Sequence, residues 1–471
     1  MGVIDSLSMP ECLALVGISL ALYTIGLVVY RLYFSPIASF HGPLLARTTF
    51  WYEFYHDWVR TGQYWMEIEN MHRKYGPVVR ITPTEIHVRD PAFYNELFVT
   101  GAVRKTEAYP RFAEGTGFED IFAVSTPHDM HSATRSPLGP FFSVAGIARV
   151  EERAVQRVEQ LCSRLNEFIN TGKPVNVTHA FGSLMNDIIS SMFFEEPSDF
   201  LNDPTFNAEW FELLKRGAVT IPLLAHMPWL AKLLVMPVVK ALSELVTECR
   251  VWDDKARRQM LKCRLRPADD AKNRNDTTIF DHLVHSDVVE SIYGNGGFAR
   301  VSQLLQQAGT HNTSTTLGTM VTYLGLNPDV EKQLREELRA LYAENSQKHP
   351  SWRQLEKLAY LKACYLEALR YFTTHLMKQT SLMMTWPGLQ WVYYTAMSGY
   401  HPTSSWKTAV SMTIYWMHMD PDIYPDPTKF EPKRWLGDQK SVEDLHHYFF
   451  PFAKGSRACV AKKQVIFERV E

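Results

Sequence analysis

The first strong pattern is an apolar run near the start of the chain. From Cys12 to Tyr30 no side chain is charged, about the length one helix needs to cross a bilayer. Asp5 and Glu11 precede it, Arg31 follows and Arg47 lies further on. That bias predicts an anchor at residues 1–34, its helix at about 12–30, with the main body on the cytoplasmic side. A cleaved signal peptide would carry a basic leading region and a shorter apolar run. In this orientation the sequons at Asn176, Asn275 and Asn312 never meet the glycosylation machinery and read as chance. Ser35-Pro36 and Gly42-Pro43 then predict a stiff, kinked connector.

Beyond it, Pro77–His87 alternates apolar and polar residues around a proline, the pattern of a small hairpin. Helical spacing runs from Ile147 to Asn170 and from Val177 to Phe194, with Gly172 and Pro174 as stop signals between them. Ile221–Pro237 is strongly apolar but broken by Pro222, Pro228 and Pro237, so it cannot be one long core helix. It reads either as a core corner or as a segment that dips into a membrane surface. Asp269–Asp276 is a polar surface loop. A helix spans Val301–Leu324, and a charged amphipathic one, opened by Asn-Pro-Asp, spans Asn327–Glu344.

Composition adds two limits. With 46% hydrophobic and 13% aromatic residues and a net charge of −2, the chain suits a large core and an apolar pocket; nothing in its overall charge argues for nucleic acid. The cysteines at 12, 162, 249, 263, 364 and 459 include no C-x-x-C pair, which argues against a disulfide framework and a zinc site.

The candidate chemistry concentrates in Phe452-Ala453-Lys454-Gly455-Ser456-Arg457-Ala458-Cys459-Val460-Ala461. A thiolate is a soft, strongly donating iron ligand and needs a tight loop that aims cations and N–H groups at its sulfur. Gly455 permits the turn, Arg457 offers a guanidinium for a haem propionate and for the sulfur, and Phe452 limits hydration. Cys459 opens a helix from Lys462 whose N-terminal dipole favours an anion. The bland alternative is a buried structural cysteine.

This run resembles the cysteine loop of the cytochrome P-450 family, F-x-x-G-x-R-x-C-x-G, except that Ala461 stands at the last glycine. Other stretches extend the resemblance over nearly the whole chain. His131 and Arg135, on one helix face, match an aromatic-or-His and Arg pair that holds a propionate; a solvated face is the alternative. Ala308-Gly309-Thr310-His311-Asn312-Thr313 matches (A/G)-G-x-(D/E)-T-(T/S), whose small residues approach the haem and whose acid–alcohol pair relays protons. Here His311 stands at the acid and Asn312 at the alcohol, with Thr313 next. Histidine passes protons near neutral pH, whereas asparagine is a poor relay. Glu367 and Arg370 form E-x-x-R and, with Arg434 in Phe430–Trp435, match the family's buried structural triad.

The resemblance implies a mainly α fold with one or two small sheets and a catalytic domain from residue 35 onward. It implies haem b with Cys459 as axial thiolate, dioxygen chemistry on a hydrophobic small molecule, and electrons from NADPH through a reductase. Lys454, Arg457, Lys462 and Lys463 are candidates for the reductase-docking face, or for a merely solvated one. The overall texture is similar to fungal members that act on terpenoids or other secondary metabolites, in the endoplasmic reticulum membrane. Two departures stand out. No arginine lies between Tyr371 and Lys433, and residues 377–406 lose the pattern, which predicts a gene-structure error within 375–400; His375 or Lys378 would have to substitute. The chain also ends at Glu471, before the expected C-terminal hairpin. The rival readings are a reductase-independent haem-thiolate isomerase or dehydratase, and a truncated inactive haem protein.

Overall fold

The structure, a computed structural model, describes residues 8–100, 107–109, 111, 121–122, 125, 127–219, 221–227, 229, 244–266, 278–284, 287–344, 349–379, 391–398 and 407–462. The apolar run is helical: α1 (Met9–Val29) continues through a π turn, Tyr30–Phe34. It starts before Cys12 because Ser8 and Glu11 close a capping box, with Ser8 N–H donating to Glu11 Oε2 at 2.8 Å. None of its residues is buried. Among the described residues it is the one helix long and apolar enough to cross a membrane, consistent with a single-pass anchor.

After α2 (Tyr64–Tyr75), the hairpin forms as β1 (Val78–Thr82) and β2 (Glu85–Val88). Its polar positions do not face water, however: every residue of β2 is buried. Buried polar groups need partners, and distant ones supply them. Ser411 Oγ donates to Glu85 Oε1 at 2.7 Å. His87 Nε2 lies 3.0 Å from Thr413 Oγ1, and its Nδ1 lies 2.8 Å from His72 Nε2 on α2.

The helical body contains α3 (His128–Arg135), α4 (Val144–Thr171), α5 (Val177–Phe193), α6 (Glu244–Arg264), α7 (Asp287–Leu326), α8 (Pro328–Glu344) and α9 (Ala359–Gln379). Asn176 caps α5, its Oδ1 accepting from the N–H groups of Thr178 and His179 at 3.0 and 3.2 Å. The central helix α7 begins well before Val301, the expected start. Gly294, Gly296 and Gly297 each cost roughly 1 kcal/mol by propensity, but extending an existing helix is far easier than starting one. It runs along α5, and a core of Phe193, Phe280, Leu283, Val301, Leu304 and Leu305 forms around the two. Such side chains contribute about 1.5–3 kcal/mol each on full burial.

The remaining strands, β3 (Trp391–Ser398) and β4 (Lys407–Thr413), are antiparallel, and β4 lies parallel to β2, giving the order β1-β2-β4-β3. The architecture is mainly helical with one small sheet, as expected. Helix α10 (Gln439–His447) leads into the cysteine loop. Of the apolar 221–237 stretch, a short helix at Ile221–His226 is described and most of the rest lies outside the described residues. The same holds for residues 380–390 and 399–406, for the side chains of His375 and Lys378, and for 463–471.

Candidate active site

The cysteine loop is turned by two left-handed residues. Ala453 has φ 60° and Gly455 φ 82°; only the second was legible, because only a glycine advertises that conformation. A Cβ on Gly455 would lie 2.7 Å from the Val99 carbonyl oxygen. Ser456 N–H donates to that same oxygen at 3.2 Å, and Cys459 N–H donates to Phe452 O at 2.9 Å, closing the loop. Phe452 is buried against Leu369 of α9.

The Cys459 side chain keeps accessible surface, yet burial is the largest influence on its thiol and pushes its pKa up. The residue thus keeps accessible surface while protein crowds its sulfur. Opposing burial are N–H groups of Ala461 and Lys462, hydrogen-bonded to the sulfur, and the charges of Arg135 and Lys462. These donors favour a thiolate, and a coordinating metal deprotonates such a thiol outright.

Cations converge beside it. Burial lowers the Arg135 pKa, while Cys459 raises it. Arg457 is pushed down to about 10 by burial and by Arg135, with Glu107 raising it. Arg135 acts on the sulfur and on Arg457, with Glu107 the one acid among their influences, so the cradle is net positive. That charge balance, with the donor set on Cys459, fits a porphyrin with two carboxylates and a thiolate-ligated iron. His131 lies beside this group. It is buried, with Nδ1 2.5 Å from Phe122 O and Nε2 3.2 Å from Ser456 O. Burial, then Arg457, pushes its pKa to about 4. A neutral imidazole has one N–H and donates to only one of these carbonyls at a time, and Arg135, its neighbour on α3, carries the charge.

On α7, Gly309 meets α5. A Cβ there would lie 2.4 Å from Ile189 Cδ1, so its open face admits α5, and Gln306 Nε2 donates to Asn186 Oδ1 at 2.7 Å across the same contact. Ala308 and Thr313 are half-buried. His311 is driven to about 4 by burial alone, hence neutral at physiological pH, and its Nε2 is buried without a hydrogen-bond partner. Thr310 Oγ1 and Asn312 Oδ1 are likewise unpartnered. The next turn holds what the sequence reading missed. Ser314 and Thr315 hydroxyls donate to His311 O at 3.0 and 2.8 Å, and Thr316 donates to Asn312 O at 2.9 Å. Such back-bonding bends helices, and the hydroxyl run 313–316 was its signal.

Behind the loop, Glu367 and Arg370 of α9 are fully buried. Glu367 accepts from Arg370 at 2.7 and 3.1 Å, Arg434 Nε at 3.2 Å, Trp435 Nε1 at 2.9 Å and Glu431 N–H at 3.0 Å. Arg370 also donates to His418 O and Pro427 O, both at 2.8 Å. One carboxylate thus ties α9 to the segment at 431–435 that precedes α10.

The sequence profile of the cytochrome P-450 family matches residues 46–463. The chain belongs to that family. It is 37% identical over 459 residues to the cytochrome P-450 monooxygenase oblB of Cochliobolus heterostrophus, covering 95% of this chain and 85% of the relative. The fusicoccadiene C-8 hydroxylase of Alternaria brassicicola is 36% identical over 463 residues, 96% of this chain and 86% of that one. Stellatic acid synthase of Emericella variicolor is 32% identical over 457 residues, 93% and 83% of the respective chains. Membership makes the protein a P-450 monooxygenase, an oxidoreductase with a haem-thiolate iron cofactor, acting on a small molecule with a redox partner.

The basic residues named as a reductase-docking or solvated face have different surroundings. Lys454 is exposed and donates to Asn95 Oδ1. Arg457 is instead half-buried beside His131, at 3.4 Å from its Nδ1, and Lys462 sits close enough to Cys459 to act on its thiol; Lys463 lies outside the described residues. A surface cleft of 330 Å³ lined by His72, Arg73, Arg89, Asp90, Trp416 and Asp420 shares no residue with the cysteine loop.

Proposed function

We propose that this P-450 hydroxylates a terpenoid hydrocarbon, drawing electrons from NADPH through a reductase while anchored by α1 with its body on the cytoplasmic face of the endoplasmic reticulum. The observation that carries the chemistry is the Cys459 sulfur, supported by two N–H donors and the Arg135 charge. The substrate class is supported by relatives named for fusicoccadiene and stellatic acid.

Cys459 would hold the iron, Arg135 and Arg457 the propionates, and Phe452 would keep water from the sulfur. When bound, a haem-thiolate iron supplies dioxygen activation. The protein's own tasks are orientation and proton supply. Neutral His311 can take a proton at one ring nitrogen while releasing one from the other, needing no charged form. Asn312 can hold a water but not titrate. Glu367, Arg370 and Arg434 would keep the wall behind the loop rigid.

The test incubates the full-length protein in vesicles with fusicoccadiene and related cyclic terpenes. A product one oxygen atom heavier, formed only with NADPH and reductase, is the expected result. An isomer of unchanged mass formed without them would favour the isomerase reading, which the His311-Asn312 departure makes the natural rival. A reduced carbon monoxide difference spectrum without the far-red Soret band, and no bound haem, would sink both.

A further inference from the structure

Among the described residues, arginines with no acid paired to them gather where α1 meets the body. Arg31 lies in the π turn after α1, Arg47 in the short helix Leu44–Thr48, Arg80 in β1 and Arg111 beyond β2. The Arg31 and Arg111 guanidiniums lie 5.6 and 3.6 Å from the Phe50 ring centroid. Arg80 is fully buried and donates to the carbonyls of Arg31 and Pro83 at 2.7 Å and of Ile37 at 3.4 Å. Arg31 donates to Thr48 O at 2.6 Å and Arg47 to Ala38 O at 3.1 Å.

Every acceptor in that set is a neutral carbonyl, and among the described residues no carboxylate pairs with any of the four. The Nε atoms of Arg47 and Arg80 are buried with no partner at all. Burial, with the charges of Arg47 and Arg31, pushes Arg80 down to about 10. An uncompensated cluster of buried and half-buried cations is strongly unfavourable unless an anion completes it. Its position indicates which anion. Tyr30, Tyr33, Phe34, Leu44, Leu45 and Trp51 are exposed on the same segments, and aromatic residues at the end of an apolar helix mark the headgroup level of a bilayer. Basic pockets at that depth suit lipid phosphates.

We propose that Arg31, Arg47 and Arg111, backed by Arg80, bind the phosphate of an acidic membrane lipid at the end of the anchor helix. Phosphate is the shared chemistry, and a bound lipid headgroup fits better than free phosphate because the site adjoins exposed apolar surface. Arg80 is the internal brace, tying the carbonyls of Arg31 and Ile37 to that of Pro83 in the β1–β2 turn; Arg47 and Arg111 supply guanidinium forks matched to phosphate oxygens. The lipid source rests on the anchored reading, whereas the anion site does not.

The experiment uses the purified, haem-loaded full chain in detergent. Native mass spectrometry counts retained dioleoylphosphatidic acid and dioleoylphosphatidylcholine, calorimetry measures inorganic phosphate, and vesicle flotation reports the anchor separately. Arg47→Gln and Arg111→Gln are each expected to weaken phosphatidic acid binding by about tenfold or more, the loss of one hydrogen bond to a charged group. Phosphatidylcholine retention and the carbon monoxide spectrum should stay unchanged. Inorganic phosphate binding with equal strength and the same arginine dependence would keep the anion site and reassign its source. Equal retention of phosphatidic acid by wild type and both variants would overturn the proposal. Failure to float on phosphatidylcholine vesicles would remove the anchor while leaving the phosphate result to be judged by itself.

Discussion

Replacing Gly455 by alanine strikes the cysteine loop where it has least room. The backbone sits at φ +82°, and the new Cβ would lie 2.7 Å from Val99 O, 3.1 Å from Phe98 C and 3.2 Å from Val99 C. All three are backbone atoms, and the Ser456–Val99 hydrogen bond at 3.2 Å keeps them close. A left-handed alanine costs about 1–2 kcal/mol, and forced overpacking adds about 1–3 kcal/mol. The sum, about 2–5 kcal/mol, is a large share of a net stability of about 5–15 kcal/mol. Ala453, at φ +60°, provides a control of opposite sign. Glycine there relieves about 1–2 kcal/mol of the same strain, less about 0.4–1 kcal/mol for a looser unfolded chain. Denaturant titration of the haem-loaded protein, followed by Soret absorbance and circular dichroism, measures both variants. Gly455→Ala within about 0.5 kcal/mol of wild type, the range of a neutral surface change, would refute the reasoning, as would Ala453→Gly being the more damaging of the two.

Three other perturbations test separate parts of the structure. Glu367→Gln leaves two buried guanidiniums facing a neutral amide and should cost about 3–5 kcal/mol, more than Arg434→Gln measured the same way; equal losses would count against a single keystone carboxylate. His418 is pushed to about 3 by burial and then by Arg370, and its Nε2 accepts from Phe450 N–H at 3.1 Å. The unfolded chain therefore binds this proton from about pH 6.5 downward while the native state refuses it, so stability is full above 6.5 and falls toward 3 by up to about 1.4 kcal/mol per pH unit; His418→Gln should remove one proton from the slope of unfolding free energy against pH, and an unchanged slope would place the acid sensitivity elsewhere. Gly309→Val collides with Ile189 and should cost about 1–3 kcal/mol, with Ile189→Ala restoring part of it; purely additive losses in the double-mutant cycle would mean the two helices do not meet there.

Chemistry that one residue type announces was legible in the sequence. A glycine and a cysteine at fixed spacing located the loop, and Glu367, Arg370 and Arg434 meet because opposite charges in a mainly apolar setting have few other partners. Features set by three-dimensional neighbours were not. Nothing in Ala453 declares a left-handed backbone. The alternation at Glu85 and His87 predicted a hairpin but not the partners Ser411 and Thr413 from the far end of the chain. His131 is pushed toward its neutral form by burial and by Arg457, against two carbonyls that favour the charge, a balance only the folded neighbourhood sets.

The parallel pairing of β2 with β4 bears on how the protein is made. Glu85 and Ser411 are 326 residues apart, so a ribosome working at roughly 5–20 residues per second leaves the first hairpin without its neighbour for tens of seconds. All that time its inner edge is an open template for any passing strand. If α1 is already threaded into lipid, the nascent hairpin waits tethered at the bilayer surface, apart from other nascent copies, until Lys407–Thr413 has been made.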